Sequence, residues 1–237
     1  MEKRGDVEMG ALYPNMMENP QMRWAFIRKV YMIVTLQILI TIAVSSVVIF
    51  YRPIPEFLLS RTFPSLAAMI AIIILPFLVM VPLIFLRQKH PWNMILLFLF
   101  TISLSMAIGL ACATRSGKVI LEAAALTAIV VGGLTLYTFW AAKRGHDFSF
   151  LGPFLSVSLL VLIIFGIVQV FFPFGAIGTS IYGCIGAIIF AGFIIYDTDN
   201  LIKRHSYDEY ICAAISLYLD VVNLFLYIMT ALGSSDS

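Results

Sequence analysis

Charge is what this sequence has least of. Only 12% of its 237 residues are Asp, Glu, Lys or Arg, about half of the ~25% usual in a soluble domain. The net charge of +2 is too small to hold a polyanion, so no nucleic-acid partner is expected. Cysteines number three. Cys112, Cys184 and Cys212 lie in apolar runs with no CxxC spacing, which excludes a disulfide framework and a zinc site. No Asn-x-Ser/Thr acceptor is present. Neither GxxxxGK[ST], HExxH nor a nucleophile elbow occurs, which removes the phosphate-loop, metalloprotease and hydrolase readings. The first 29 residues are polar and are read as lacking a cleavable signal peptide. Glu2 after Met1 excludes N-myristoylation. With so little catalytic equipment, neither an enzyme nor a bound cofactor is expected.

What is abundant is apolar surface: 61% of residues are hydrophobic. A helix needs about 20 apolar residues to cross a bilayer. On that rule the chain is an all-α integral membrane protein with seven spans: Val30–Phe50, Leu66–Leu86, Met94–Thr114, Val119–Ala142, Phe150–Phe172, Ala176–Tyr196 and Tyr210–Leu232. Residues 1–29 read as a cytoplasmic tail, 30–232 as the transmembrane domain and 233–237 as a short C-terminal tail. Arg23, Arg28 and Lys29 read as anchors before the first span. Eleven Lys and Arg fall in the N-terminal tail and the even-numbered loops, and four in the remaining ones. That bias predicts a cytoplasmic N-terminus. A last segment that re-enters rather than crosses would leave both ends on that side.

Several spans carry local signals. Pro76 and Pro82 interrupt the second and read as packing geometry or a hinge. Glu122 lies near the start of the fourth, close to the interface. Gly183, Ala187 and Ala191 recur every four residues in the sixth, a small-residue stripe against which another helix can pack closely. The three histidines, His90, His146 and His205, fall in loops predicted to be cytoplasmic.

Two aspartates are the costly residues. A carboxylate within an apolar helix costs at least ~2.5 kcal/mol on insertion scales, which makes it a functional candidate. Asp197 follows the sixth span, and Asp220 lies in the middle of the seventh. Ser216, Asp220, Asn223 and Tyr227 share one face of the last helix. Asp197 and Asp220 are equidistant from the polar link at Asp208-Glu209, so an antiparallel pair of helices puts them at equal depth. Asp197 reaches that depth only if the sixth helix continues toward Ile202. Two carboxyl groups in one low-dielectric site titrate as a pair. A shared proton holds them together; its loss leaves two charges that repel each other and attract a cation. Oxygen ligands suit calcium, and Asn223 offers another oxygen. Asp199 and Asn200, on other faces, read as a helix cap or an ion-attracting vestibule. Arg87, at the end of the second span, reads as an interfacial anchor or as a cationic partner of Asp197.

IIYDTDNLI followed by SLYLDVVNLFLYIM resembles the paired signature of the Bax inhibitor-1 / Lifeguard (TMBIM) family. RQKHPWN and TFWAAKRGHDFSFLGP are similar to its Lifeguard branch, and LYP…RWAFIRKVY to its plant members. The resemblance covers nearly the whole chain from Leu12. It implies a seven-transmembrane-helix bundle with the last helix central, a pH-sensitive calcium leak and, in eukaryotes, suppression of cell death. It places the family's di-aspartyl pair on Asp197 and Asp220, and its arginine, by approximate position, on Arg87. Calcium is then the permeating or bound ion. The lipid bilayer and membrane proteins of cell-death control are the partners, and an internal membrane such as endoplasmic reticulum or Golgi is the location.

Three other readings compete. An intramembrane aspartyl protease uses YD and GxGD; Tyr196-Asp197 matches the first, but Leu217 to Asp220 reads LYLD, and bulky leucines crowd the substrate approach. A seven-helix receptor requires an external N-terminus. A proton-coupled transporter uses the same shared-proton carboxylates and remains the alternative.

Overall fold

The computed structural model describes residues 11–14, 16–60 and 62–233. The outer part of the expected N-terminal tail, residues 1–10, and the C-terminal residues 234–237 lie outside them. Eight helices run α1 (Pro20–Phe50), α2 (Pro53–Leu59), α3 (Phe63–Phe85), α4 (Trp92–Ala113), α5 (Gly117–Lys143), α6 (Leu151–Phe171), α7 (Gly175–Lys203) and α8 (Tyr210–Gly233). A 3₁₀ turn at Tyr207–Glu209 leads into α8. All but α2 are long and apolar enough to cross a membrane, giving seven such helices among the described residues. The protein is an all-α, multi-pass membrane protein, as expected.

Two boundaries differ from the sequence reading. The first helix begins at Pro20, ten residues before the expected span, so residues 20–29 are helix and not tail. The YRPIPEF stretch, expected as a break, holds the short α2. Proline at a first helical position lacks only an N–H that would be unbonded there anyway. A third point follows the expectation: α7 runs past Tyr196 to Lys203. Pro76 and Pro82 both sit inside an unbroken α3.

The chain forms two compact units. In the unit of residues 31–120, the outer part of α1 lies along α4 through a buried polar seam. Gln37 Nε2 donates to Thr101 Oγ1 (3.1 Å), Ser105 Oγ to Thr41 Oγ1 (3.0 Å) and Ser45 Oγ to the Ser105 carbonyl (3.0 Å). Gly109 continues the row: a Cβ there would lie 2.8 Å from Val48 Cβ. Short side chains at intervals of four let the backbones approach, and their hydroxyls replace the absent hydrophobic drive between helices in lipid. On α3, Ile70, Ile73, Phe77, Leu78 and Val81 are exposed, as side chains solvated by lipid tails are.

The other unit joins the chain's first part to residues 121–237. Its apolar core gathers Leu162, Phe190, Ile194 and Leu224, from α6, α7 and α8, with Val130, Val131 and Leu134 of α5 packed against them. No residue of α8 is exposed. At Gly183, the first residue of the small-residue stripe on α7, a Cβ would lie 2.6 Å from the Ala231 nitrogen of α8. One turn on, Gly186 faces the Tyr227 ring. Near the same end, Ser180 Oγ donates to the Ala231 carbonyl (3.1 Å). The backbones of α7 and α8 are therefore in close contact along one end of the hairpin.

Candidate functional site: the carboxyl pair of the last two helices

Asp197 and Asp220 meet. The two carboxyl groups face each other across α7 and α8, near enough to interact. Carboxylates only accept hydrogen bonds, so a hydrogen bond between two such groups needs a proton on one of them. Asp220 is 5% exposed and Asp197 half-buried. Asp220 lies ten residues into α8, roughly 15 Å along its axis. Asn200, and His205 beyond the helix end, stand near Asp197. The second oxygen of Asp220, Oδ2, is buried without a hydrogen-bond partner among the described residues.

The companion residues divide. Ser216 is half-buried, one turn from Asp220 toward the link. Asn223 uses its amide nitrogen on the Leu219 carbonyl (2.8 Å). Tyr227 is engaged elsewhere: its hydroxyl lies 3.3 Å from that of Tyr182, and its ring stacks on Phe190 at 5.5 Å. It shares a face with Asp220 but sits seven residues away, roughly 10 Å along the axis. Arg87 lies in the turn after α3, in the unit of residues 31–120, where its carbonyl accepts from Asn93 Nδ2 (3.0 Å).

Asp199 proves to be neither cap nor vestibule. It is fully buried. One oxygen takes Lys203 Nζ at 2.5 Å; the other accepts from the Phe148 N–H at 3.2 Å and lies 3.6 Å from Arg204 Nη1. Lys203 also donates to the His146 carbonyl, and Arg204 to Asp147. This network fastens the α5–α6 loop to the end of α7. The loop itself turns on Gly145 at φ +84°, the left-handed position that commonly closes a helix. The Ser149 backbone N–H, with Arg204, holds the Asp147 carboxyl down to about 2. A lowered folded-state value means the stabilisation is present above the ordinary carboxylate range and disappears as pH falls toward 2. Both partners are partly exposed, so Asp147→Asn is expected to cost less than ~1 kcal/mol. The check is the thermal midpoint in detergent at neutral pH, with the difference from wild type closing in acid.

The sequence reading took Arg23 as an anchor; it is 2% exposed. Its Nε and Nη2 donate to Glu18 Oε2 at 3.0 and 2.5 Å, and its Nη1 donates to the His205 carbonyl at 2.6 Å. The only hint in the sequence was an arginine followed by two aromatic residues, Trp24 and Phe26. No sequence signal pointed to a partner 182 positions away.

No group of three or more acidic, histidine or cysteine side chains suited to a metal gathers among the described residues. Calcium normally takes six to eight oxygens. Two carboxyl groups fit a cation in passage better than a resident one.

These features define a class: a multi-pass helical membrane protein whose last two spans turn one buried and one half-buried carboxyl toward each other. The chain belongs to the family whose model is described as "Inhibitor of apoptosis-promoting Bax1", which matches residues 23–237. It is 57% identical to Protein LIFEGUARD 4 of Arabidopsis thaliana, over 99% of this chain and 97% of the relative. It is 58% identical to Protein LIFEGUARD 2 of the same plant, over 95% and 94%. A viral relative, the Golgi anti-apoptotic protein of vaccinia virus (strain Lister), is 37% identical over 90% and 87%.

Proposed function

We propose that this protein is a pH-sensitive calcium leak of an internal membrane, opened when the proton shared by Asp197 and Asp220 is lost. The observation that carries the reading is the approach of the Asp197 and Asp220 carboxyls to each other across α7 and α8. While the proton is held, α7 and α8 are fastened at mid-membrane. When it leaves, two adjacent negative charges repel at low dielectric and attract a divalent cation. A Golgi location for one relative, and its description as anti-apoptotic, support an endoplasmic reticulum or Golgi membrane and a role in restraining cell death through calcium. The role is transport and not catalysis.

The test is calcium entry into liposomes containing the purified protein, measured across a pH series. Wild-type flux is expected to rise with pH, since loss of the proton opens the pair. In Asp197→Asn or Asp220→Asn, an amide donates to the remaining carboxylate without needing a proton. Both variants are expected to show low flux with little pH dependence, about tenfold below wild type on the open side, as loss of a charge-assisted contact implies. Wild-type flux and pH dependence in both variants would sink the latch. Movement of protons or an organic solute without calcium would establish the proton-coupled transporter instead. Arg87→Gln, measured alongside, reports whether that arginine joins the pair.

A further inference from the structure

The proposal concerns the segment before the first span. Residues 18–29 grip the link between α7 and α8 from two sides. Arg23 donates from all three of its nitrogens, to Glu18 and to the His205 carbonyl. Its guanidinium carbon lies 4.9 Å from the centre of the Tyr207 ring. The Tyr207 hydroxyl donates to Glu18 Oε2 (2.8 Å), which closes a ring of contacts through residues 18, 23, 205 and 207. The Phe26 ring packs edge-on against Tyr207 at 5.7 Å. Lys29 Nζ sits 3.2 Å over the ring of Tyr210, the first residue of α8. A fully buried guanidinium is retained only when its donors are spent, and here they are spent on the link.

The position of this grip matters because of what lies along the hairpin. At the far end, Gly183 and Ser180 hold α7 against the backbone of α8 at Ala231. The carboxyl pair lies between. With the far end closed by backbone contact, α7 and α8 separate at Asp197 and Asp220 only by movement at the link. We propose that Arg23 is a positioning residue for the carboxyl pair: with Glu18, it clasps the α7–α8 link and holds Asp197 facing Asp220.

This inference rests on the leak reading for its functional consequence, though the clasp itself does not depend on calcium. The titratable and charged groups facing the link are His205 and Glu209, 3.5 Å apart, Lys29 beside Tyr210, and Lys203 and Arg204 on Asp199. The Tyr207 hydroxyl, then Arg23, hold the Glu18 carboxyl below its ordinary range. The contribution of Glu18 is therefore present above ordinary carboxylate values and lost only as pH falls below them. Above the ordinary carboxylate range the clasp stays charged whatever the state of the carboxyl pair, so the two are separable.

The experiment uses the full chain in liposomes. Arg23→Lys keeps the charge and loses the fork; Glu18→Gln keeps the size and loses the charge; Arg28→Lys, on the exposed face, is the control. Thermal midpoints establish that each variant is folded. Amide exchange of residues 204–210 is expected to be about tenfold faster in the two clasp variants, as loss of a charged hydrogen bond implies. The pH midpoint of calcium flux is expected to move about one unit to acid, because a less stable closed state gives up its proton earlier. The control is expected to show neither. Unchanged exchange and an unmoved midpoint in both clasp variants overturn the clasp. If wild type passes no calcium at any pH, the leak reading fails, and exchange alone decides the clasp.

Discussion

Asp199→Ala is expected to destabilise the protein by about 3 kcal/mol, the low end of the range for breaking a buried ion pair. The side chain is fully buried and answers three donors: Lys203, Arg204 and the Phe148 N–H. Its removal strands an ammonium that is only 13% exposed and a backbone N–H without a partner. Partial access of Lys203 to solvent keeps the cost at the low end. The consequence extends beyond stability, because the α5–α6 loop loses its hold on the last two turns of α7, which follow directly on Asp197. Asp199→Asn should recover part of the loss, since the amide oxygen still accepts from Phe148 but the charge is gone. The measurement is the thermal midpoint in detergent for both variants, beside Asp147→Asn as the exposed counterpart. Equal, small shifts for all three would show that burial does not set the cost.

Gly183→Leu should be more damaging still. The first atom of any side chain at this position would lie 2.6 Å from the Ala231 nitrogen and 2.9 Å from the Tyr227 carbonyl oxygen. Both are backbone atoms, which cannot rotate away. Even one inserted methylene commonly costs about 1–3 kcal/mol in a packed interior, and Leu adds four carbons. Loss of monodisperse protein on size-exclusion chromatography is expected. Gly132→Leu and Gly133→Leu are the internal comparison: nothing lies within 4 Å of a Cβ at either position. Both should be neutral or slightly stabilising, by up to ~1 kcal/mol, because Leu is the better helix former. A folded, stable Gly183→Leu would mean that α7 and α8 are not in backbone contact.

The sequence carried the spans because apolar length is a local property. It also put the two aspartates at equal depth, since equal distance from a turn is simple arithmetic once two helices are antiparallel. That arithmetic required α7 to continue past Tyr196, and it does so to Lys203. The seam of Gln37, Thr41 and Ser45 against Thr101, Ser105 and Gly109 was readable in its spacing of four but stood among stronger apolar signals. The early start of α1 was not legible. Residues 20–29 carry three cations, and in isolation they read as a solvated anchor. What makes them structural is a carbonyl at His205. Asp199 was misread for the same reason: its partners include a loop some fifty residues earlier. Tyr227 followed the right periodicity but answers Tyr182 instead of the aspartates. Faces are set by period; partners on other elements are not.

The grip of Arg23 on His205 also orders events during synthesis. Its two halves are separated by 182 positions. At about 5–20 residues per second, the ribosome needs roughly 10–40 s to make the stretch between them. Arg23 therefore emerges first and remains without its carbonyl partner until the last two helices have been inserted. A chain truncated before His205 would keep the Glu18 contacts of that arginine but leave its Nη1 without the carbonyl it reaches in the folded protein.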